Sequence, residues 1–234
     1  MFLGHYAVAL AAKRAAPSVS MGTLFAAAAF LDLVWPVLVL AGVERVEVAP
    51  GATAFTPLDF QHYPISHSLL MAAVWGLAFG GLHLMRQRNP LAALVLALVV
   101  VSHWLLDAVV HRPDLPLAPG GHPLIGLGLW NSIPATLAVE LTMYAAGLAI
   151  YVRMTRAQDR IGSLGLAAFA LFLPAVYASV AFGPPPQNAS AVAWSDMGQW
   201  LVILWAAWVD RHRRVTEAVR TSVSLSTSSR TGTA

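Results

Sequence analysis

LAALVLALVVVSHWLLDAVVH, residues 91–111, decides how this chain folds. Apolar side chains fill it without interruption from Leu91 to Val101. At a rise of ~1.5 Å per residue its 21 residues reach about 31 Å, the thickness of a bilayer's hydrocarbon core. Inside that run stand His103 and Asp107, four positions apart and therefore on one helical face. An ionisable group at such a depth is costly, so it marks either a functional residue or half of a buried pair.

The rest of the chain has the same character. Of 234 residues 58% are hydrophobic and only 11% charged, against about 25% in ordinary soluble domains. So little charge cannot clothe a soluble surface of this size. Further candidate spans run over 21–42, 66–85, 133–152, 161–183 and 192–209, with a short apolar helix over 2–12 before them. The expected fold is therefore an all-α, polytopic transmembrane bundle of about six spans plus a short N-terminal helix. Residues 1–152 read as the membrane core that carries the site, 153–215 as additional transmembrane helices, and 216–234 as a disordered cytoplasmic tail. Cysteine is absent, which excludes disulfides, thiolate metal sites and a cysteine nucleophile. The pI near 9.7 comes from dispersed basic residues and carries no nucleic-acid signal.

Lys13, Arg14, Arg86, Arg88, Arg153, Arg156, Arg160 and the five arginines after position 209 fall at one end of the bundle, and only Arg45 and Arg112 at the other. Positive-inside bias then places the Lys13 turn and the C-terminal region in the cytoplasm, and loops 43–65, 112–132 and 184–191 outside, as in a multi-pass protein of the bacterial inner membrane.

Other polar residues share the depth of His103. Counting ~1.5 Å per residue puts Asp32 about 16 Å above the cytoplasmic edge, Glu140 about 10 Å below the outer edge and His5 about 12 Å above the inner one. With His62, His67 and Asp107 leading outward, the set describes a pit with its deepest groups near the midplane. Histidine and carboxylate without thiolate suit a divalent metal, zinc first, with manganese or iron also open. The candidate ligands are His5, Asp32, His62, His67, His103, Asp107 and Glu140. Each one alone is as well explained by a buried hydrogen bond; the argument lies in the set. At the outer rim, His111, Arg112 and Asp114 either bind a phosphate or are solvated.

Several of these residues carry a resemblance. Gly4-His5, Asp32, the stretch His62-Tyr-Pro-Ile-Ser-His67-Ser68, then Ser102-His103-Trp-Leu-Leu-Asp107, a Pro119-Gly120-Gly121 turn leading to Leu129-Trp130, and Glu140 together resemble the YdjM-like predicted membrane-bound metal-dependent hydrolases. The likeness covers residues 4 to about 140. It departs after Asp32, where that family often has a second aspartate and a proline, and after His62, where it often has Arg-Gly. The resemblance implies a distant similarity to zinc-dependent phospholipase C and related nucleases, whose helical cores hold metal ions through histidines and carboxylates.

The expected function is thus metal-dependent hydrolysis of a phosphoester in a lipid or lipid-linked substrate, with the site open to the non-cytoplasmic side. Asp32 or Asp107 is expected to serve as general base, with Arg112 and Asn131 steadying phosphate oxygens. The alternative is a cation or proton-coupled transporter, or a non-catalytic scaffold, that uses the same polar cluster.

Overall fold

The computed structural model describes residues 1–216, so the tail expected over 216–234 lies, apart from its first residue, outside the described residues. Among the described residues ten α-helices follow one another: α1 Leu3–Ala12, α2 Met21–Ala28, α3 Phe30–Leu40, α4 Pro64–His67, α5 Leu69–Gln87, α6 Pro90–Val110, α7 Ile133–Met154, α8 Leu166–Phe182, α9 Ala189–Asp196 and α10 Gln199–Arg211. Three two-stranded antiparallel ribbons close the connections, β1 Arg45–Val48 with β2 Leu58–His62, β3 Leu115–Pro116 with β4 Leu124–Ile125, and β5 Thr155–Ala157 with β6 Arg213–Val215.

Local chemistry explains most boundaries. Ser20, Ser68, Asn89, Ser132 and Asn188 each cap a helix by accepting a backbone N–H from three residues on, which satisfies a donor that has no partner within the helix. Pro90 and Pro134 stand in first turns, where a missing N–H costs nothing.

Among the described residues four helices, Leu69–Gln87, Pro90–Val110, Ile133–Met154 and Ile161–Phe182, are long and apolar enough to cross a membrane. The last of these opens with a π-helical turn at Ile161–Gly165. A fifth crossing is reached if α2 and α3 are taken together, for they form one apolar segment bent by 53° at Ala29. The sixth expected span, 192–209, is not one helix. It is divided between α9 and α10 by the residues Met197 and Gly198, and neither half has spanning length. The outer surfaces of the long helices are apolar; Leu77, Met85 and Leu171 are each about three-quarters exposed, which suits lipid rather than water.

Small residues let the helices approach closely. α5 packs along α6, and a Cβ at Gly76 would stand 2.7 Å from the Ala97 carbonyl oxygen, one at Gly80 2.5 Å from that of Ala93. This is a small-xxx-small seam. α1 packs on α7 in the same manner, with Gly147 against the Ala7 backbone. At the Lys13 end Asp210 ties three elements, accepting from Lys13 Nζ and the Met21 backbone N–H at 2.9 Å and from the Tyr151 hydroxyl at 2.7 Å.

The α5–α6 seam makes a direct prediction. Gly80→Val must push two backbones apart and is expected to lower stability by about 1–3 kcal/mol, read as a lower thermal midpoint in detergent. Gly81→Val, whose Cβ would meet nothing within 4 Å, should leave the midpoint within about 0.5 kcal/mol of wild type.

Candidate metal centre

Five of the expected ligands converge from four helices. α1 brings His5, α3 Asp32, α4 His67, and α6 both His103 and Asp107. All but Asp32 are buried, and the Asp32 carboxylate is 27% exposed. Two overlapping groups have ligand atoms within 4.8 Å of one another: His5, His103 and Asp107, and Asp32, His67 and His103. His5 and His103 stack face to face, with ring centroids 3.6 Å apart and 6° between their planes.

The sequence places each side chain for a local reason. Asp32 lies in the first turn of α3, just after the bend at Ala29, so the bend aims it inward. Pro36, four residues on, has no N–H to offer the Asp32 carbonyl, which loosens this turn further. His67 ends the one-turn helix α4, where the chain turns into α5 at Ser68. His5 is held by the anchoring of α1, since Glu140 on α7 accepts the backbone N–H groups of Phe2 at 2.8 Å and Gly4 at 3.2 Å. Glu140 therefore caps α1 rather than joining the two ligand groups.

Hydrogen bonds decide which nitrogens are bare. His103 Nδ1 lies 2.7 Å from the Ala28 carbonyl oxygen, which can only accept, so Nδ1 carries a proton. In the neutral ring Nε2 then presents a lone pair. That nitrogen sits 3.1 Å from Asp107 Oδ2 and 3.4 Å from Asp32 Oδ1, yet it makes no hydrogen bond. His67 Nε2 stands 3.3 Å from Asp32 Oδ1 and 3.7 Å from Asp107 Oδ2. Two ligands of one tetrahedral zinc, each about 2.1 Å from the ion, lie about 3.4 Å apart. The observed separations match that edge, and lone pairs facing lone pairs at this distance need a cation or protons between them. The residues fit a divalent metal. Asp107 Oδ1 is otherwise engaged, by the Met1 amino group and by His5 Nε2 at 3.1 Å.

A cavity of about 990 Å³ opens onto this cluster. Asp32, His67 and Asp107 lie in its polar part, whereas its walls are chiefly aromatic and aliphatic, including Trp35, Phe60, Trp130, Phe172 and Trp205. Its lining also includes Pro50, Gly51 and Pro57 of the β1–β2 connection and Pro184, Pro185 and Pro186 after α8. A second cavity, of about 580 Å³ between Ser18–Thr23 and Phe79–Asn89 at the other end of α5, shares no lining residue with it.

Three expected site residues stand apart. His62 is exposed on β2, opposite Arg45, because the ribbon register turns it outward. Arg112 is held by ion pairs to Asp59 and, at 3.4 Å, to Asp114, and it does not line the cavity. Asn131 is exposed beside Gly128, also off the lining. At the rim His111 does line the cavity, and Asp114 accepts from both His111 Nδ1 at 2.9 Å and the Tyr63 hydroxyl at 2.7 Å. Burial, with Asp114 alongside, holds the Tyr63 phenol well above its usual pKa, so it remains a donor.

Sequence reading passed over Glu44, Ser66 and Asp196. Asp196 ends α9, lines the cavity and has a buried oxygen, Oδ2, without a partner. The signal was present: an acid inside a candidate span, the same rule that selects Asp32. Glu44 gave no signal, being one charge beside Arg45 in a loop.

No family model, curated protein or solved structure matches this chain. The centre therefore stands on its geometry, and elemental analysis tests it. Detergent-purified protein is expected to carry stoichiometric zinc, manganese or iron, and the His103→Ala, Asp107→Ala double variant to lose it while remaining folded. Equal metal in both, or none in either after reconstitution, would leave a polar network in place of a metal site.

Proposed function

We propose that this protein is a membrane-embedded, metal-dependent hydrolase that cleaves a phosphoester in a lipid or lipid-linked substrate. The observation that carries the reading is a cluster of bare histidine nitrogens and carboxylate oxygens lying in the polar part of a large, mostly apolar-walled cavity. An amphiphile with an anionic head fits such a space, its head at the cluster and its chain along the aromatic walls. The YdjM-like motifs, which supply His5, Asp32, His67, His103 and Asp107, support the same reaction class.

Zinc is the first candidate for the ion, with manganese and iron next. When bound, the ion supplies positive charge that makes water more acidic and offsets charge on phosphoryl oxygens. His5, His67, His103 and Asp107 would hold it, with their protons already directed away from it at His103. Asp32, the exposed member of the cluster, faces the cavity and is the group placed to take a proton from an attacking water. Arg112 and Asn131 take no part in this proposal, and Glu140 acts by anchoring α1. We further propose six crossings, with α2–α3 and α9–α10 as broken spans, and a cavity mouth on the non-cytoplasmic side, as the arginine distribution favours.

Transport is the competing use for an intramembrane cluster, and the two broken helices speak for it. The separation of the two cavities speaks against a continuous path.

The test is turnover in mixed micelles. Protein reconstituted with zinc or manganese is expected to release a phosphorylated headgroup or phosphate from phospholipid or polyprenyl-phosphate substrates. Asp32→Asn should lower that rate by a factor of about 100 or more, the scale of a lost general base. Metal-loaded protein that cleaves none of these substrates would sink the proposal and favour transport.

A further inference from the structure

The buried groups that the proposed reaction leaves unused include one connected chain of hydrogen bonds. Glu44, 1% exposed, follows α3 by a few residues and reaches the start of α4. Its Oε1 accepts the backbone N–H groups of Ile65 and Ser66, each at 2.8 Å. Its Oε2 lies 2.6 Å from Ser66 Oγ, and Ser66 Oγ lies 2.7 Å from His67 Nδ1. Ser66 is wholly buried.

The direction of the protons in this chain is fixed by donor counting. An ionised carboxylate only accepts, so the single Ser66 hydroxyl proton points to Glu44. Toward His67 the hydroxyl can then only accept, which requires a proton on Nδ1. In the neutral ring Nε2 is left with its lone pair, and Nε2 is the atom that faces Asp32 and Asp107. His103 reaches the same state through a backbone carbonyl; His67 reaches it through a serine and a glutamate.

We propose that Glu44, acting through Ser66, is a positioning residue that sets the tautomer of His67 and so presents Nε2 as a metal ligand. The inference rests on the metal reading of the cluster. Groups that orient a ligating histidine in this way commonly alter metal affinity by about 10–100-fold when removed.

Glu44 also caps α4, and a cap alone would account for its burial, so the test must separate the two roles. In Glu44→Gln the amide oxygen can keep both backbone N–H bonds. The amide nitrogen replaces Oε2 and can only donate to Ser66. The hydroxyl proton then turns to His67 Nδ1 and the ring proton moves to Nε2, the wrong side for a ligand. Ser66→Ala removes the link and leaves the cap untouched. In the double variant the amide has no route to His67, so removing Ser66 should partly restore what Glu44→Gln loses.

The measurement is binding of zinc ion alone to the full chain in detergent, by titration calorimetry, beside apo-protein thermal unfolding. Glu44→Gln is expected to weaken zinc binding toward the upper end of that 10–100-fold range and Ser66→Ala toward its lower end, with the double variant close to Ser66→Ala and apo midpoints near wild type. Wild-type affinity in Ser66→Ala, or losses that multiply in the double variant, would overturn this inference and leave the metal site standing. Wild-type protein that takes up no zinc would overturn both.

Discussion

His103 gives its Nδ1 proton to the Ala28 carbonyl, and much of the site depends on that bond. At the bend between α2 and α3 the Ala28 carbonyl takes its bond from an imidazole. In an apolar surround a carbonyl without a donor would cost several kcal/mol, so the bend and the histidine stabilise each other. The same bond turns His103 Nε2 toward the carboxylates, while the bend carries Asp32 up to meet it. One interaction thus sets the helix geometry, the tautomer and the meeting of two ligand groups.

Other carboxylates of the chain show what a complete set of donors looks like. Asp210 has an ammonium, a phenol and a backbone N–H; Glu44 has two backbone N–H groups and a hydroxyl. Glu140 receives two backbone N–H groups through Oε2. Asp210 and Glu44 are finished structural devices, whereas Glu140 Oε1 is buried without a partner. Asp32 differs, for the groups nearest its Oδ1 are histidine nitrogens, one of which has its proton committed elsewhere. The same fold that satisfies its structural acids leaves this one facing lone pairs and a cavity, which is the arrangement a cation completes.

Composition and run length made the helical, apolar nature of the chain legible, and the four-residue spacing of His103 and Asp107 made one face of the site legible. Depth counting along upright helices also picked out His5 and Asp32, although it assumed a straight first span. The bend at Ala29 was not legible, because nothing in a run of apolar residues marks where a backbone carbonyl finds a partner on another helix; the break at Met197–Gly198 falls in the polar, glycine-containing stretch Ser195-Asp196-Met197-Gly198-Gln199, where the sequence does carry a breaker. His62 and Glu140 mark the limits of the method. Proximity in sequence to His67 gave His62 its place among the candidates, but a ribbon register turned it outward. Glu140 sits at the right depth, but its Oε2 is taken by backbone groups of α1, and such contacts cannot be foreseen from residue type.

The segment after residue 152, silent in sequence, gains a role from the cavity. Phe172 and Val176 of α8, Asp196 of α9 and Val202 and Trp205 of α10 form one wall of the space before the cluster. Helices α1–α7 therefore assemble and anchor the cluster, while α8–α10 complete the wall of the space before it. Breaking the last apolar segment into two short helices has a physical consequence as well. A continuous helix would place Asp196 in the middle of an apolar face, where an unpaired carboxyl is costly; the break puts it at a helix end on the cavity wall, linked to Gln199 and through it to Tyr6 of α1. The apolar walls are thus shared, Trp35, Phe60 and Trp130 coming from the earlier segments and Phe172, Val202 and Trp205 from the later ones, whereas the histidines of the cluster all come from the earlier ones. The two sets are also packed directly on each other, α10 against α2 and α9 against α3, and Gln199 and Asp210 of α10 bond Tyr6, Lys13, Met21 and Tyr151, so a change in the later helices is felt by the elements that hold the cluster.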